Sequence, residues 1–347
     1  MIYNNIYVYI YMNLLNTDNC LKKYNEDKLT YIVSIHYNNP LFIELQYYSL
    51  KKYVKNNYKF IVFDDSKDNT PFTELIKLKC QNFNIDYVRI DQQIHKDRNL
   101  IFPANITDIR KKMIELDHSL NIYNSGAVED ASARHCASVQ FMFKYFSNNI
   151  NDCKYLFNID SDMFFINDIN INNFCKDINI LYVKQNRQLN GIIFSYILPN
   201  LFCFNIENIN GLNDICWDLC RYYDDTGEFV RSDTGGETYD FLLKNNHNNC
   251  QIEYADILNF KILNDNKNFI NDNIYNLLNE IIINNGDNAS VNQLLIFNNE
   301  KYNIFHLRGY TWMDNMYTTD YVNIIDVLLK KYLSENYHII LILHFNI

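Results

Sequence analysis

The chain has 347 residues, 48% of them hydrophobic, and a formal net charge of −10; that length buries a sizeable core in one large α/β domain or two smaller ones. The acidic balance argues against a protein whose main task is neutralising nucleic-acid phosphates, which needs an excess of Lys and Arg on some face. The make-up, with 21% charged and 15% aromatic residues, fits a soluble globular protein.

Met1 to Leu15 is apolar but broken by Asn4, Asn5 and several tyrosines, with neither a basic leading segment nor a small-residue cleavage site. No later run reaches the roughly 18 apolar residues that span a bilayer. Nine cysteines without a CxxC pair or zinc-like spacing fit buried thiols in a reducing compartment. A cytoplasmic location without a membrane span is expected. Residues 1–27 form an N-terminal extension, and strand and helix signals alternate after it.

Leu29 to Ile35 reads as a strand, and Ile43, Tyr47, Leu50 and Val54 then repeat at helical spacing. Lys59 to Phe63 is a second strand, Phe72 to Lys79 a helix, and Ile85 to Ile90 a third strand. This βαβαβ order predicts a parallel sheet. The pattern lapses from Asp91 to Asp130, where Ile109 to Leu116 reads as helical, and helical spacing returns at Cys136, Val139, Phe143 and Phe146. Past Ile166 the segments shorten. Ile180 to Val183, Gly191 to Tyr196 and Leu201 to Asn205 suggest strands, and Asp214 to Tyr222 and Glu237 to Leu243 suggest helices. Cys216 and Cys220, four apart, would share one face of the first of these helices. Tyr321 to Tyr332 looks like a closing amphipathic helix within a tail, 321–347. The fold class is therefore α/β: a mostly parallel central sheet with helices on both faces and a mixed second half.

The segment with the most chemistry is Tyr155 to Ile166, where Asp160 and Asp162 stand one residue apart between apolar runs. A continuously apolar strand is what a parallel strand covered on both faces looks like. Ligands of α/β sheets bind just outside the carboxyl ends of such strands. Two hard oxygen donors there suit Mg²⁺ or Mn²⁺, and a divalent ion could hold a diphosphate. An Asx turn accounts for an isolated Asp-x-Asp equally well, so the neighbouring segments decide.

Ile32 to Pro40, the pair Ser49 and Leu50, and Phe60 to Thr70 with its Asp64-Asp65-Ser66-Lys67-Asp68 loop together resemble the opening of GT-A fold glycosyltransferases, particularly the family-2-like group. Ala133-Arg134-His135 is similar to the helix preceding the metal-binding strand of that group, and Asp160-Ser161-Asp162 takes the place of its Asp-x-Asp. The loop after Asp65 lacks the usual Gly and is one residue shorter. The resemblance implies a nucleotide-sugar-binding half, 28–166, and an acceptor-binding half, 167–320, of one domain. It also implies a metal-dependent transfer from a nucleotide-sugar, a UDP-sugar, to a hydroxyl on a glycan, protein or lipid.

In that reading Asp160 and Asp162 hold Mn²⁺ or Mg²⁺, with Asp160 also near the ribose. His36, Tyr37, Asn38, Asp64, Asp65 and Arg134 line the nucleotide. Asp233 or Glu237 serves as base toward the acceptor hydroxyl; Thr234 and Glu237 also have capping-box spacing. Ile304 to Trp312 looks like the His-bearing terminal segment of family-8-like transferases, so His306 is expected to complete the metal shell. Trp312 comes two residues early there, and Arg308 stands in for a phosphate-binding Lys. Two other readings fit an Asp-x-Asp: a haloacid-dehalogenase-like phosphatase, which would carry the pair on its first strand, and a carbohydrate-binding relative without turnover.

Overall fold

The computed structural model describes residues 29–102, 131–189, 192–219, 221–223, 229–231, 233–256, 260–265, 267–270, 272–285, 293–297, 301–307 and 330–331. The expected extension 1–27, the helix at Ile109–Leu116, Cys220, Arg308, Trp312 and nearly all of the closing helix lie outside them.

The chain runs β1 (Leu29–His36), α1 (Leu41–Tyr53), β2 (Tyr58–Asp64), α2 (Phe72–Asn82), β3 (Asp86–Arg89), α3 (Gln93–Lys96), α4 (Ala131–Asn149), β4 (Cys153–Ile159), β5 (Met163–Phe165), α5 (Ile171–Phe174), β6 (Ile180–Leu189) and β7 (Ile192–Asn205). It continues with β8 (Arg221–Tyr223), β9 (Phe229–Arg231), α6 (Thr238–Lys244), β10 (Asn249–Asp256), α7 (Phe260–Asp265), α8 (Asp272–Asn285), β11 (Gln293–Phe297) and β12 (Lys301–His306). The central strands lie in the order β3-β2-β1-β4-β7-β6-β10, and β11, β12 and β5 extend that edge. β3, β2, β1 and β4 are mutually parallel, as is β6 with β10; β7 runs antiparallel to both β4 and β6. The expected α/β class, with a parallel first half and a mixed second half, is the arrangement of these strands.

Side chains of a strand alternate between faces, and both faces here are covered. Ile32, Phe60, Val62, Tyr155 and Phe157 join one buried cluster with α1, α2 and α8. Tyr31, Val33, Ile61, Phe63 and Leu156 join another with α4 and Trp217. That two-sided burial is why the strands read as unbroken apolar runs. Because β1, β2 and β4 are parallel, with His36 opposite Asp64 and Val33 opposite Asn158, their carboxyl ends open on one rim. The loops carrying Tyr37 and Asn38, Asp65, and Asp160 and Asp162 leave from it.

Two expected elements differ. Gly191–Tyr196 and Leu201–Asn205 belong to one 14-residue strand, β7, whose Pro199 coincides with an irregularity in its pairing with β6, the kind of place a strand tolerates proline. The expected helix from Asp214 to Tyr222 is a 3₁₀ turn at Leu212–Asp214, a non-helical stretch and the short strand β8. Its backbone is claimed from outside: the buried Gln140 donates to the Ile215 carbonyl at 3.1 Å and accepts from Trp217 N at 2.9 Å. Trp217 packs between Phe143 and Phe202, with centroids at 5.1 and 4.8 Å. Tertiary contacts of this kind override a helical pattern, and the shared face for Cys216 goes with the helix. Among the described residues seven cysteines are free thiols.

Candidate donor and metal site

β4 stops at Ile159 and β5 starts at Met163, and Asp160, Ser161 and Asp162 form the turn between them. The turn is pinned by its backbone: Asp160 N donates to Asn200 O at 2.8 Å, Met163 N to Asp160 O at 3.1 Å, and Leu307 N to Asp162 O at 3.0 Å. Pairing of β5 with β12 sets His306 opposite Met163. The side chains of Asp160, Asp162 and His306 thereby converge, with one potential ligand atom from each lying within 4.8 Å of the others.

The electrostatics of this trio favour a cation. Asp162 and His306 are buried, and His306 Nε2 lies 3.2 Å from Asp162 Oδ1. That oxygen is buried and has no hydrogen-bond partner, which is costly for a carboxylate unless a positive group balances it. Burial and the neighbouring Asp162 raise the pKa of Asp160, against the opposing pull of His135 and His306. Two carboxylates crowded in this way with an imidazole make a donor set that could hold a divalent cation.

His36, at the end of β1, is fully buried, with Nδ1 2.9 Å from Asn39 O and Nε2 3.0 Å from Gln46 Oε1. Burial lowers its pKa, partly offset by those two oxygens and by Asp64 and Asp160. Asn38 adopts a left-handed backbone, φ 50°, tolerable for Asn, and its side chain accepts from Lys67 N at 3.1 Å. The loops after β1 and β2 are thus tied together.

Asp64 and Asp65 are both buried but differently engaged. Asp64 accepts from Ser66 N and from the Tyr87 hydroxyl, each at 2.9 Å, so its carboxylate braces the loop and β3. Asp65 accepts from Gln92 Nε2 at 3.0 Å, lies 2.6 Å from His95 Nε2 and accepts from Arg134 at 3.1 Å. Burial alone would raise the Asp65 pKa, but His95, Arg134 and Gln92 together lower it. The Arg134 guanidinium also lies 4.8 Å from the centroid of the half-buried Tyr37 ring, a cation–π distance.

On the second half, Asp233 Oδ1 accepts from Ser132 Oγ at 3.2 Å and Thr234 N at 2.8 Å. Glu237 is buried at the start of α6, where its Oε2 accepts from the Cys216 thiol at 3.1 Å and its side chain makes no capping bond. Thr234 donates instead to Ser132 O at 3.2 Å, so the capping box is not formed. Burial and the carboxylates of Glu237 and Asp218 push the Cys216 thiol well up. The first turn of α4 therefore serves two acids, Ser132 meeting Asp233 and Arg134 meeting Asp65, and places His135 where its charge opposes the rise in the Asp160 pKa.

Sequence reasoning missed Gln46, Gln92, His95 and Ser132. One signal was available for Gln46: an amide beside the apolar stripe of α1, where it is wholly buried.

No family model matches the chain, and no curated protein matches it. Several solved structures do, at low identity. The galactosyltransferase LgtC in complex with donor and acceptor sugar analogs aligns at 13% identity over 51% of this chain and 58% of its own, with a TM-score of 0.31. Mouse xyloside xylosyltransferase 1 aligns at 12% identity over 64% of this chain and 83% of its own, with a TM-score of 0.33. The mannosyltransferase Ktr4p from S. cerevisiae in complex with GDP aligns at 13% identity over 59% and 67%, with a TM-score of 0.30. The chain thus spans less than two thirds of LgtC, and its alignments with these three glycosyltransferases are partial.

Proposed function

We propose that this chain is a metal-dependent glycosyltransferase that moves a sugar from a nucleotide-sugar donor, a UDP-sugar, to a hydroxyl on a glycan, protein or lipid acceptor. One observation carries this reading: Asp160, Asp162 and His306 converge at the rim where parallel β1, β2 and β4 end. A diphosphate is the ligand that needs both a divalent ion and a strand-end site.

In this proposal Asp160, Asp162 and His306 hold Mn²⁺ or Mg²⁺, and the cation supplies charge neutralisation for the departing diphosphate. Tyr37 and Asn38 border the base, with Arg134 behind the Tyr37 ring. Asp65, fixed by His95, Gln92 and Arg134, keeps this border rigid, so donor binding orders few side chains. His36 and Asp64 lie beneath it and hold the strand ends. Asp233 is the preferred base: it is half-buried, and its Oδ1 accepts from Ser132 and Thr234, which hold it at the entry to α6. Glu237, beside the Cys216 thiol, is the other candidate. Residues 28–166 form the donor half and 167–320 the acceptor half. Among the described residues no helix is long and apolar enough to cross a membrane, and the seven described cysteines are thiols rather than disulfides, which favours a reducing, cytoplasmic location.

A thermal-shift panel of nucleotide-sugars with and without Mn²⁺ tests this. A UDP-sugar is expected to raise the melting temperature of the wild type only with metal, and Asp162→Ala to remove the shift. Equal stabilisation of the variant, or no response to any nucleotide-sugar, refutes the assignment.

A further inference from the structure

The turn that carries Asp160 and Asp162 is held from below by a residue with no place in the proposed chemistry. Helix α1 presents Phe42, Gln46 and Ser49 to the short strand β5. These positions are four and three residues apart and lie on one helix face. Phe42 packs edge-on against Phe164 at 5.4 Å, and the Ser49 hydroxyl donates to Phe165 O at 3.0 Å. Between them Gln46, fully buried, donates from Nε2 to Asp160 O at 2.8 Å and to Met163 O at 3.2 Å.

Those two carbonyls bracket the acidic turn. Because the amide nitrogen is committed to both, the Gln46 oxygen must face the other way, where it accepts from His36 Nε2 at 3.0 Å. Every hydrogen-bonding atom of the amide thus has a partner, and the partners belong to two different loops: the end of β1 and the β4–β5 turn.

We infer that Gln46 is a positioning residue that sets the separation of the Asp160 and Asp162 carboxylates by clamping the backbone carbonyls of Asp160 and Met163, the first residue of the turn and the residue after it, and so couples the metal site to the end of β1. The inference rests on the metal reading above. A buried amide in this position acts as outer hydrogen-bond partners of metal ligands do: it touches no metal, yet its loss weakens metal binding about 10–100-fold. No other residue type of similar length can both donate two hydrogen bonds to carbonyls and accept one from His36. Met keeps the length but none of the polar atoms, and Glu puts a carboxylate against two carbonyl oxygens.

The test compares Gln46→Met with Gln140→Met. Gln140 is an equally buried glutamine whose bonds go to Ile215 and Trp217. Mn²⁺ affinity is measured on the intact protein by isothermal titration and by the spin-resonance signal of free Mn²⁺, alongside the melting temperature. Both variants are expected to melt earlier, but only Gln46→Met loses Mn²⁺ affinity, by about tenfold or more. Gln46→Asn, whose amide is too short to reach both carbonyls, is measured the same way and stands in if Gln46→Met fails to fold. Wild-type affinity in the Gln46 variants, or an equal loss in Gln140→Met, overturns the inference while leaving the metal site standing. Wild-type protein that binds no Mn²⁺, or binds it as well after Asp162→Ala, overturns both.

Discussion

Asp65 is the residue on which the side chains of Gln92, His95 and Arg134 converge. A buried carboxylate is unfavourable alone, and this one is held ionised by His95, Arg134 and Gln92. Since its pKa is lowered on folding, the native state binds fewer protons than the unfolded state at acid pH. Its contribution is therefore fully present above the ordinary carboxylate value of 3.8 and is lost as the pH falls through the lower folded value. Asp65→Asn should flatten that part of the acid limb of stability, measured by urea unfolding across pH. Near neutrality, Asp65→Ala should cost about 3–5 kcal/mol, because it strands a buried guanidinium.

The same scale shows what could be read in advance. Asp160, Asp162 and His306 were legible because few residue types bind hard cations and their positions followed recognisable strands. Gln46 and His95 were not, because an amide or imidazole acquires meaning only from the carbonyl or carboxylate that folding brings to it from far along the chain.

At the scale of elements, the segment leading into α6 is the most constrained. Gly235 has φ 86°, and a side chain there would bring its Cβ to 2.4 Å from Ile197 O, a backbone atom that cannot swing away. Gly235→Ala should destabilise by about 1–2 kcal/mol from the left-handed backbone alone, with the clash adding to it. A lowered urea midpoint at unchanged slope would register this. Because Asp233 precedes this turn and Glu237 follows it, the variant should also lose transfer activity beyond its loss of stability. The βαβαβ half was legible because two-sided burial leaves unmistakable apolar runs. The region around Trp217 was not: its apolar spacing mimics a helix, while Gln140 and the rings of Phe143 and Phe202 hold it in another shape.

At the scale of the molecule, the proposed metal ligands come from the β4–β5 turn and from the end of β12, two distant stretches of chain joined through a three-residue strand. A cation bound there links the central sheet to its antiparallel extension and stabilises the native state by mass action, about 2.7 kcal/mol at a concentration 100 times the dissociation constant. Mn²⁺ should therefore raise the melting temperature of the whole protein, and His306→Ala should abolish most of that rise while the metal-free melting temperature moves little. A variant that still responds fully to Mn²⁺ would remove His306 from the site.

The opening turn of α4 contributes Ser132 to Asp233 and Arg134 to Asp65, and it carries His135 as well. A helix advances about 100° per residue, so a one-position slip of this rod would release the Ser132 and Arg134 hydrogen bonds together and turn His135 as well. Under the proposed function, donor preference and acceptor preference are geared to one shaft: a substitution there made to re-tune either should disturb the other, and independent re-engineering of the two has to be sought in the loops beyond it.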